Sequence, residues 1–193
     1  AIEIAEKLWH PGVVYEYFTV LGLDGEDVLL ASRGQNAETR ITIGPHVDLL
    51  ARAESAMISV VTVGPEIDAY ITKLNQDNNL LEAYLLDSVG VVALSEVGKE
   101  VRRVAEKKAL DLGWGVSELL GPGSLMGWPL TGQAVISSLV DIGKINLVIN
   151  ESCVLIPFKS ASSLIGMGPS YPHKTVGSIC RFCVHADTCW RKR

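Results

Sequence analysis

Cys180-x-x-Cys183-x5-Cys189 sets three thiols in one short stretch near the C-terminal end, and a fourth, Cys153, stands upstream. An x-x gap lets a single turn present two thiolates to one centre, so the spacing points to a shared metal. In a chain expected in the cytosol, metal explains such a trio better than disulfides do. A [4Fe-4S] cluster would use Cys180, Cys183 and Cys189, with Cys153 as fourth ligand if the tail folds back. Zinc would take the same three thiolates with His185 or His173. Reduced, unmetallated thiols are the third reading, and Cys153 alone reads equally well as a buried structural thiol.

A second group of residues is suited to holding a small ligand. Gly121, Gly123 and Gly127 surround Pro122 and Ser124, and glycines at this density let backbone N–H groups approach a ligand closely. Trp128 follows, and Pro129 opens a helix whose positive end faces the same loop. Lys159, beside Ser160 and Ser162, is placed to bind a carboxylate or phosphate. The plain alternative is a Gly-Pro surface connection. Glu82 and Asp87 are five residues apart on a helix, so they face different ways and make no acid/base pair. Each is read as pairing with a neighbour or reaching a ligand amine. Trp9-His10-Pro11 reads as a packed Trp with a surface His, or else as a cofactor contact. No Ser-His-Asp order, phosphate-binding P-loop or dinucleotide fingerprint is present.

The elements that must position these residues follow from periodicity. Val13 to Val20 and Asp27 to Ala31 flank the turn-forming Asp24-Gly25 and predict an antiparallel pair. Arg40 to Ile43 predicts a short strand and His46 to Glu54 a helix. The β-branched run Ala56 to Val63 predicts a central strand covered on both faces, ended by Gly64-Pro65 where a helix begins. Asn79 to Leu110 is the longest helical pattern, apolar in its first half and amphipathic in its second, with Gly90 and Gly98 marking close approach or a bend. Trp114 to Trp128 reads as a Gly- and Pro-rich connection, and a helix runs from Pro129 to about Val140. Ile145 to Asn150, Cys153 to Pro157 and Leu164 to Met167 are strand-like. Strands and helices do not alternate regularly, so the class is α+β: an antiparallel or mixed twisted sheet with packed helices.

Two segments in order, Gly121 to Gln133 and Glu151 to Ser162, resemble the signature regions of the activation domain of cobalamin-dependent methionine synthase. The resemblance extends over residues 77 to 168. It implies an α+β domain that binds S-adenosylmethionine and docks over a corrinoid, supplied by a partner, while its cobalt is reduced and remethylated. Carried over onto this chain, the binding segment is Gly121, Pro122, Gly123, Ser124 and Trp128, with Lys159, Ser160 and Ser162 from the second signature. Where the family has an Arg before the Pro-Gly turn and a Tyr after it, this chain has Leu119 and Ser124. A ligand carboxylate would lack its bidentate partner there.

The resulting expectation is an accessory protein for activating or remethylating a corrinoid methyltransferase, with a C-terminal metal centre. Iron–sulfur potentials reach the range needed to reduce oxidised cobalamin, with a ferredoxin or flavodoxin as donor. Arg181, Arg191 and Arg193 would favour the reduced cluster or dock an acidic donor. The rival expectation is a zinc-stabilised module that scaffolds a corrinoid protein and its methyltransferase.

Composition bounds these readings. The chain has 193 residues, 48% hydrophobic and 20% charged, enough for one well-buried core with a small appendage. The expected division is a domain over 1–170 and a basic, cysteine-rich tail over 171–193. Lys174, Arg181, Arg191, Lys192 and Arg193 against Asp187 give that tail +4, leaving −9 on the body of a chain whose net charge is −5. This acidic body argues against nucleic acid. Mean hydropathy is +0.26, yet charges, Gly or Pro interrupt every apolar run short of a membrane span. Residues 1–12 lack the basic start and unbroken apolar centre of a secretory signal, so a cytoplasmic location is expected.

Overall fold

The computed structural model describes residues 1–32 and 38–189. Arg191, Lys192 and Arg193, three of the expected tail bases, lie outside them. The chain opens with a short helix, α1 (Ile2–Leu8), which the sequence reading did not anticipate. Strands β1 (Gly12–Asp24) and β2 (Asp27–Ser32) then form the expected antiparallel pair, turning at Gly25, whose φ of 61° suits glycine. β3 (Glu38–Thr42) adds the outer edge. The helix expected from His46 to Glu54 is only a 3-10 turn, Val47–Leu50. Beyond it the backbone is drawn out by sheet-type bonds, Glu54 N–H to Met167 O at 2.9 Å and Val20 N–H to Glu54 O at 3.0 Å, which a continuing helix would forfeit.

β4 (Ser55–Thr62) is the central strand. It pairs antiparallel with β1 on one side and with β8 (Ser160–Gly168) on the other, and β8 pairs in turn with β5 (Gly115–Leu120). The sheet order is β3-β2-β1-β4-β8-β5, antiparallel throughout. β5 falls inside the stretch read as a connection. Its Val116, Leu119 and Leu120 carry the strand, while the neighbouring glycines and prolines obscure it.

Both faces of the sheet are buried. On one, Ile58, Val60 and Leu164 join Leu125, Trp128 and Ile136 from the loop after β5 and from α4 (Gly132–Ser138). On the other, Met57, Val61, Ile165 and Met167 pack under Val101, Ala105 and Ala109 of α3 (Leu80–Asp111), whose axis is about 48 Å long at 1.5 Å per residue. α2 (Glu66–Gln76) and α1 pack against the first half of α3, with Ile67, Leu74, Ala83 and Leu86 at their centre. Between α4 and β8 the strand-like stretches reduce to a small separate hairpin, β6 (Val148–Ile149) with β7 (Leu155–Ile156). Among the described residues no helix is long and apolar enough to cross a membrane.

Two glycines give opposite expectations. A Cβ on Gly168 would run into the carbonyl oxygen of Arg52, which is backbone and cannot swing aside. Gly168→Ala should therefore cost about 2 kcal/mol, seen as a lower urea midpoint at unchanged m-value. A Cβ on Gly98 meets nothing. Gly98→Ala should raise stability by about 1 kcal/mol through helix propensity alone.

Candidate functional site

Lys159 sits at the start of β8 and is 4% exposed. Burying an ammonium is tolerable only with close counter-charge, and two helices supply it. Its Nζ lies 2.5 Å from Asp87 Oδ1 of α3 and 3.7 Å from Asp68 Oδ1 of α2. The other oxygen of Asp68 accepts the backbone N–H groups of Phe158 and Lys159 at 2.6 and 3.2 Å. The Phe158 ring lies beneath the ammonium, 5.2 Å from its centroid. Gly90 is what lets the stem pass, because a Cβ there would come within 3.2 Å of Lys159 Cε. Gly90 thus makes the close approach expected of it, and Asp87 has its neighbour.

Alongside this cluster runs a groove of about 390 Å³ between α3 and the first half of β8. It exists because β5 stops pairing at Leu120↔Leu164 while β8 continues back to Ser160, so that end of β8 lacks a strand beyond it. Gly98 on α3 keeps it open. Leu94, Val101, Val61 and Leu119 make its walls apolar. Ser95 and Ser163 supply hydroxyls, Ser162 borders the groove with its hydroxyl turned to α4 on the other face of the sheet, and Asp87, Lys159 and Arg102 supply the charge. The Ser163 hydroxyl is bonded to Ser59 at 2.7 Å, and that of Ser162 donates to Gln133 Oε1 at 3.1 Å. Sequence reasoning named Lys159 and Ser162 and, on the α3 wall, Asp87 and Gly98, but assigned no site role to Leu94, Ser95, Val101 or Arg102, whose types are those of any amphipathic helix face.

The two signature segments do meet in space. A Cβ on Gly121 would come within 3.2 Å of the Ser162 carbonyl oxygen, and Gln133 joins Ser162 to the Cys153 carbonyl, to which its Nε2 donates at 2.8 Å. Ser160 turns the other way, bonding the Pro157 carbonyl and Thr62 Oγ1. The loop's backbone amides are mostly engaged within the protein. Gly123 N–H donates to Trp128 O, those of Ser124 and Leu125 to Gly121 O, and that of Met126 to Phe182 O. Trp128 is a core residue at 1% exposure, packed so tightly against Gly132 that no side chain fits there. Pro122 lies between the buried Gly121 and Gly123, whose φ is 74°.

Residues 173–184 run along the outer edge of β5 and the loop that follows it. Val116 N–H donates to His173 O and Leu119 N–H to Gly177 O. Arg181 pairs with Glu118 at 3.1 Å, and Cys183 forms an antiparallel bridge with Leu125. Burial holds the Tyr171 phenol well above its ordinary pKa, with Glu118 adding to the effect, and its hydroxyl donates to Leu49 O at 2.7 Å. The tail thiols stand on two successive tight turns, Ile179–Phe182 and the bonded turns from Cys183 to Cys189. Cys180 Sγ accepts from Ser178 Oγ at 2.9 Å and Cys183 Sγ from the His185 N–H at 3.4 Å. Cys153 belongs to the β6–β7 turn, at a φ of 59°. Among the described residues no three His, Cys, Asp or Glu side chains are grouped to hold a metal ion, so the thiols as placed do not form a finished site.

Neither a family model nor a curated protein matches this chain. Among solved structures, the crystal structure of the MetH reactivation domain bound to AdoHcy is similar to it, with a TM-score of 0.67 and 15% identity. The match covers 90% of this chain and 63% of that one. At that identity the likeness establishes the fold: this chain has the α+β architecture of the reactivation domain, as the two signature segments implied.

The Lys159 cluster yields an ordering of variants. Asp87→Asn leaves a buried ammonium facing only the more distant Asp68. Because Asp87 is itself half exposed, the cost should be about 1–2 kcal/mol. Lys159→Met removes the buried charge and leaves Asp87 to water, so it should cost less in denaturant unfolding; the reverse order would show that the pair does not hold this corner together.

Proposed function

We propose that this chain is the ligand-binding accessory domain of a corrinoid-dependent methyl-transfer system. It takes S-adenosylmethionine or its product S-adenosylhomocysteine (AdoHcy) in the groove between α3 and β8. It docks on a corrinoid protein or cobalamin-dependent methyltransferase that brings the corrinoid. The observation that carries the reading is the fold shared over nine-tenths of the chain with a reactivation domain bound to AdoHcy. The groove adds independent support. Its volume is at the lower end for small-molecule sites, its walls are apolar, and a few hydroxyls and charges converge on it, as a nucleoside-sized ligand requires.

In this reading Leu94, Val101 and Leu119 flank the flat and thioether parts of the ligand. Ser95 and Ser163 meet its hydroxyls, Ser162 holds the groove's border through its bond to Gln133, and the Lys159–Asp87 pair fixes one end of the groove. Gly121, Pro122, Gly123 and Ser124 shape the loop at its rim, and buried Trp128 and half-buried Ser160 brace it from behind. The chain contributes binding and orientation. The reacting groups belong to the ligand and to the partner's corrinoid, and the electron comes from a separate ferredoxin or flavodoxin.

A metal at Cys180, Cys183 and Cys189 is a second, separable part of the proposal, with Cys153 or a His as fourth ligand. It is favoured by the His185 N–H directed at Cys183 Sγ, since N–H groups aimed at sulfur stabilise thiolates in metal sites. Iron–sulfur and zinc both suit three thiolates. If zinc is found and no nucleoside ligand, the chain is instead a scaffold joining a corrinoid protein to its methyltransferase.

Calorimetric titration with AdoHcy should show saturable one-to-one binding. Gly98→Leu, which fills the groove while favouring the helix, should weaken it at least about tenfold. Absence of binding by AdoHcy and S-adenosylmethionine, alone and with a corrinoid protein, would remove the ligand reading. Protein purified without oxygen should hold stoichiometric iron with sulfide, or zinc, and lose it in Cys180→Ser/Cys183→Ser; metal-free wild-type protein would remove the metal.

A further inference from the structure

We infer that Arg102 anchors the carboxylate of the ligand held in the α3–β8 groove; the inference rests on the ligand reading above and adds the residue that selects for an acid. In the charged second half of α3 three bases pair within the helix, and Lys108 lies over the Tyr17 ring. Lys99 is bonded to Glu96 at 2.6 Å, Arg103 to Glu100, and Lys107 to Asp111 at 3.2 Å. Arg102 stands among them with no ion pair to any described residue. Its natural helical partner, Glu106 one turn on, is committed elsewhere, accepting the Val176 N–H at 2.7 Å. Arg102 lines the groove, and its Nε is buried without a hydrogen-bond partner. A buried donor on a charged group is costly to leave unmade, and a ligand that met it would recover that cost.

Charge and shape identify the ligand's end. The other cation in the groove, Lys159, is already neutralised by Asp87, so Arg102 is the residual positive charge. A guanidinium offers two parallel N–H donors, which match the planar oxygens of a carboxylate better than an ammonium does. Asp87 and Arg102 stand about 22 Å apart along the α3 axis, and side chains on a helix lean toward its N-terminus, which brings Arg102 back over the groove. A ligand with an acid at one end and a longer, largely uncharged body fits that layout. Leu119, on β5 opposite, has no group that could do the same work.

The test compares AdoHcy with 5′-methylthioadenosine, which keeps the nucleoside and thioether but lacks the amino-acid end. Arg102→Gln should weaken AdoHcy at least about tenfold, a lower bound for a charge-assisted contact, and leave 5′-methylthioadenosine unchanged. Arg102→Lys, which keeps the charge but not the fork, should fall between. If wild type binds AdoHcy and Arg102→Gln binds it equally well, the inference is overturned while the ligand reading stands. If Arg102→Gln and Arg102→Lys both lose both ligands, Arg102 supports the fold and the inference fails as well. If wild type binds neither ligand, the ligand reading itself fails and this one falls with it.

Discussion

β4 must be covered on both faces. From Ala56 to Val61 its residues are buried without interruption, so water has to be excluded from above and below the same strand. One cover is α3, laid along Met57 and Val61, and the other is the loop after β5 with α4, closed by Trp128 over Ile58 and Val60. Most of the groove's side chains hang from α3 or from β8, which is held to β4 along its length from Ser160 to Met167. The groove is where the cover is incomplete. There β5 has turned away at Gly121, and α3 offers Gly98 in place of a side chain.

A polar seam runs through that gap. Ser59 and Ser163 satisfy each other across β4 and β8, Ser162 is answered by Gln133, and Lys159 is answered by Asp87 and Asp68. Buried polar groups that are paired cost little and fix geometry, because each has one arrangement that satisfies it. The seam therefore holds β8 at a set distance from α3 and α4 while leaving hydroxyls along the groove. Arg102 and its orphaned Nε break this pattern of local satisfaction.

The tail belongs to the same system. By bonding the outer edge of β5 and the Ser124–Met126 backbone, residues 173–184 cover an edge strand that would otherwise be open to pairing with another chain. This use of the loop's amides also changes what the glycines are for. Gly123 and Gly127, at φ of 74° and 85°, fold the loop back upon itself and against Pro45, so most of its N–H groups face protein partners.

The sequence by itself determined the elements whose periodicity is strong. The long apolar-then-amphipathic run became α3 with bounds within a residue or two, the β-branched run became the doubly covered β4, and Asp24-Gly25 made the hairpin, because each is dictated by local spacing and turn chemistry. The linked signature segments likewise carried the α+β class. Only the tertiary structure decided what those elements meet. A lysine next to two serines looks the same whether its ammonium faces a ligand or two aspartates, and those aspartates lie 91 and 72 positions away. Trp128 has the composition of a binding loop and the position of a core residue. Arg102 differs from its neighbours Arg103 and Lys99 only in which side of α3 it occupies and in where Glu106 has gone, and both are consequences of long-range packing that no local pattern records.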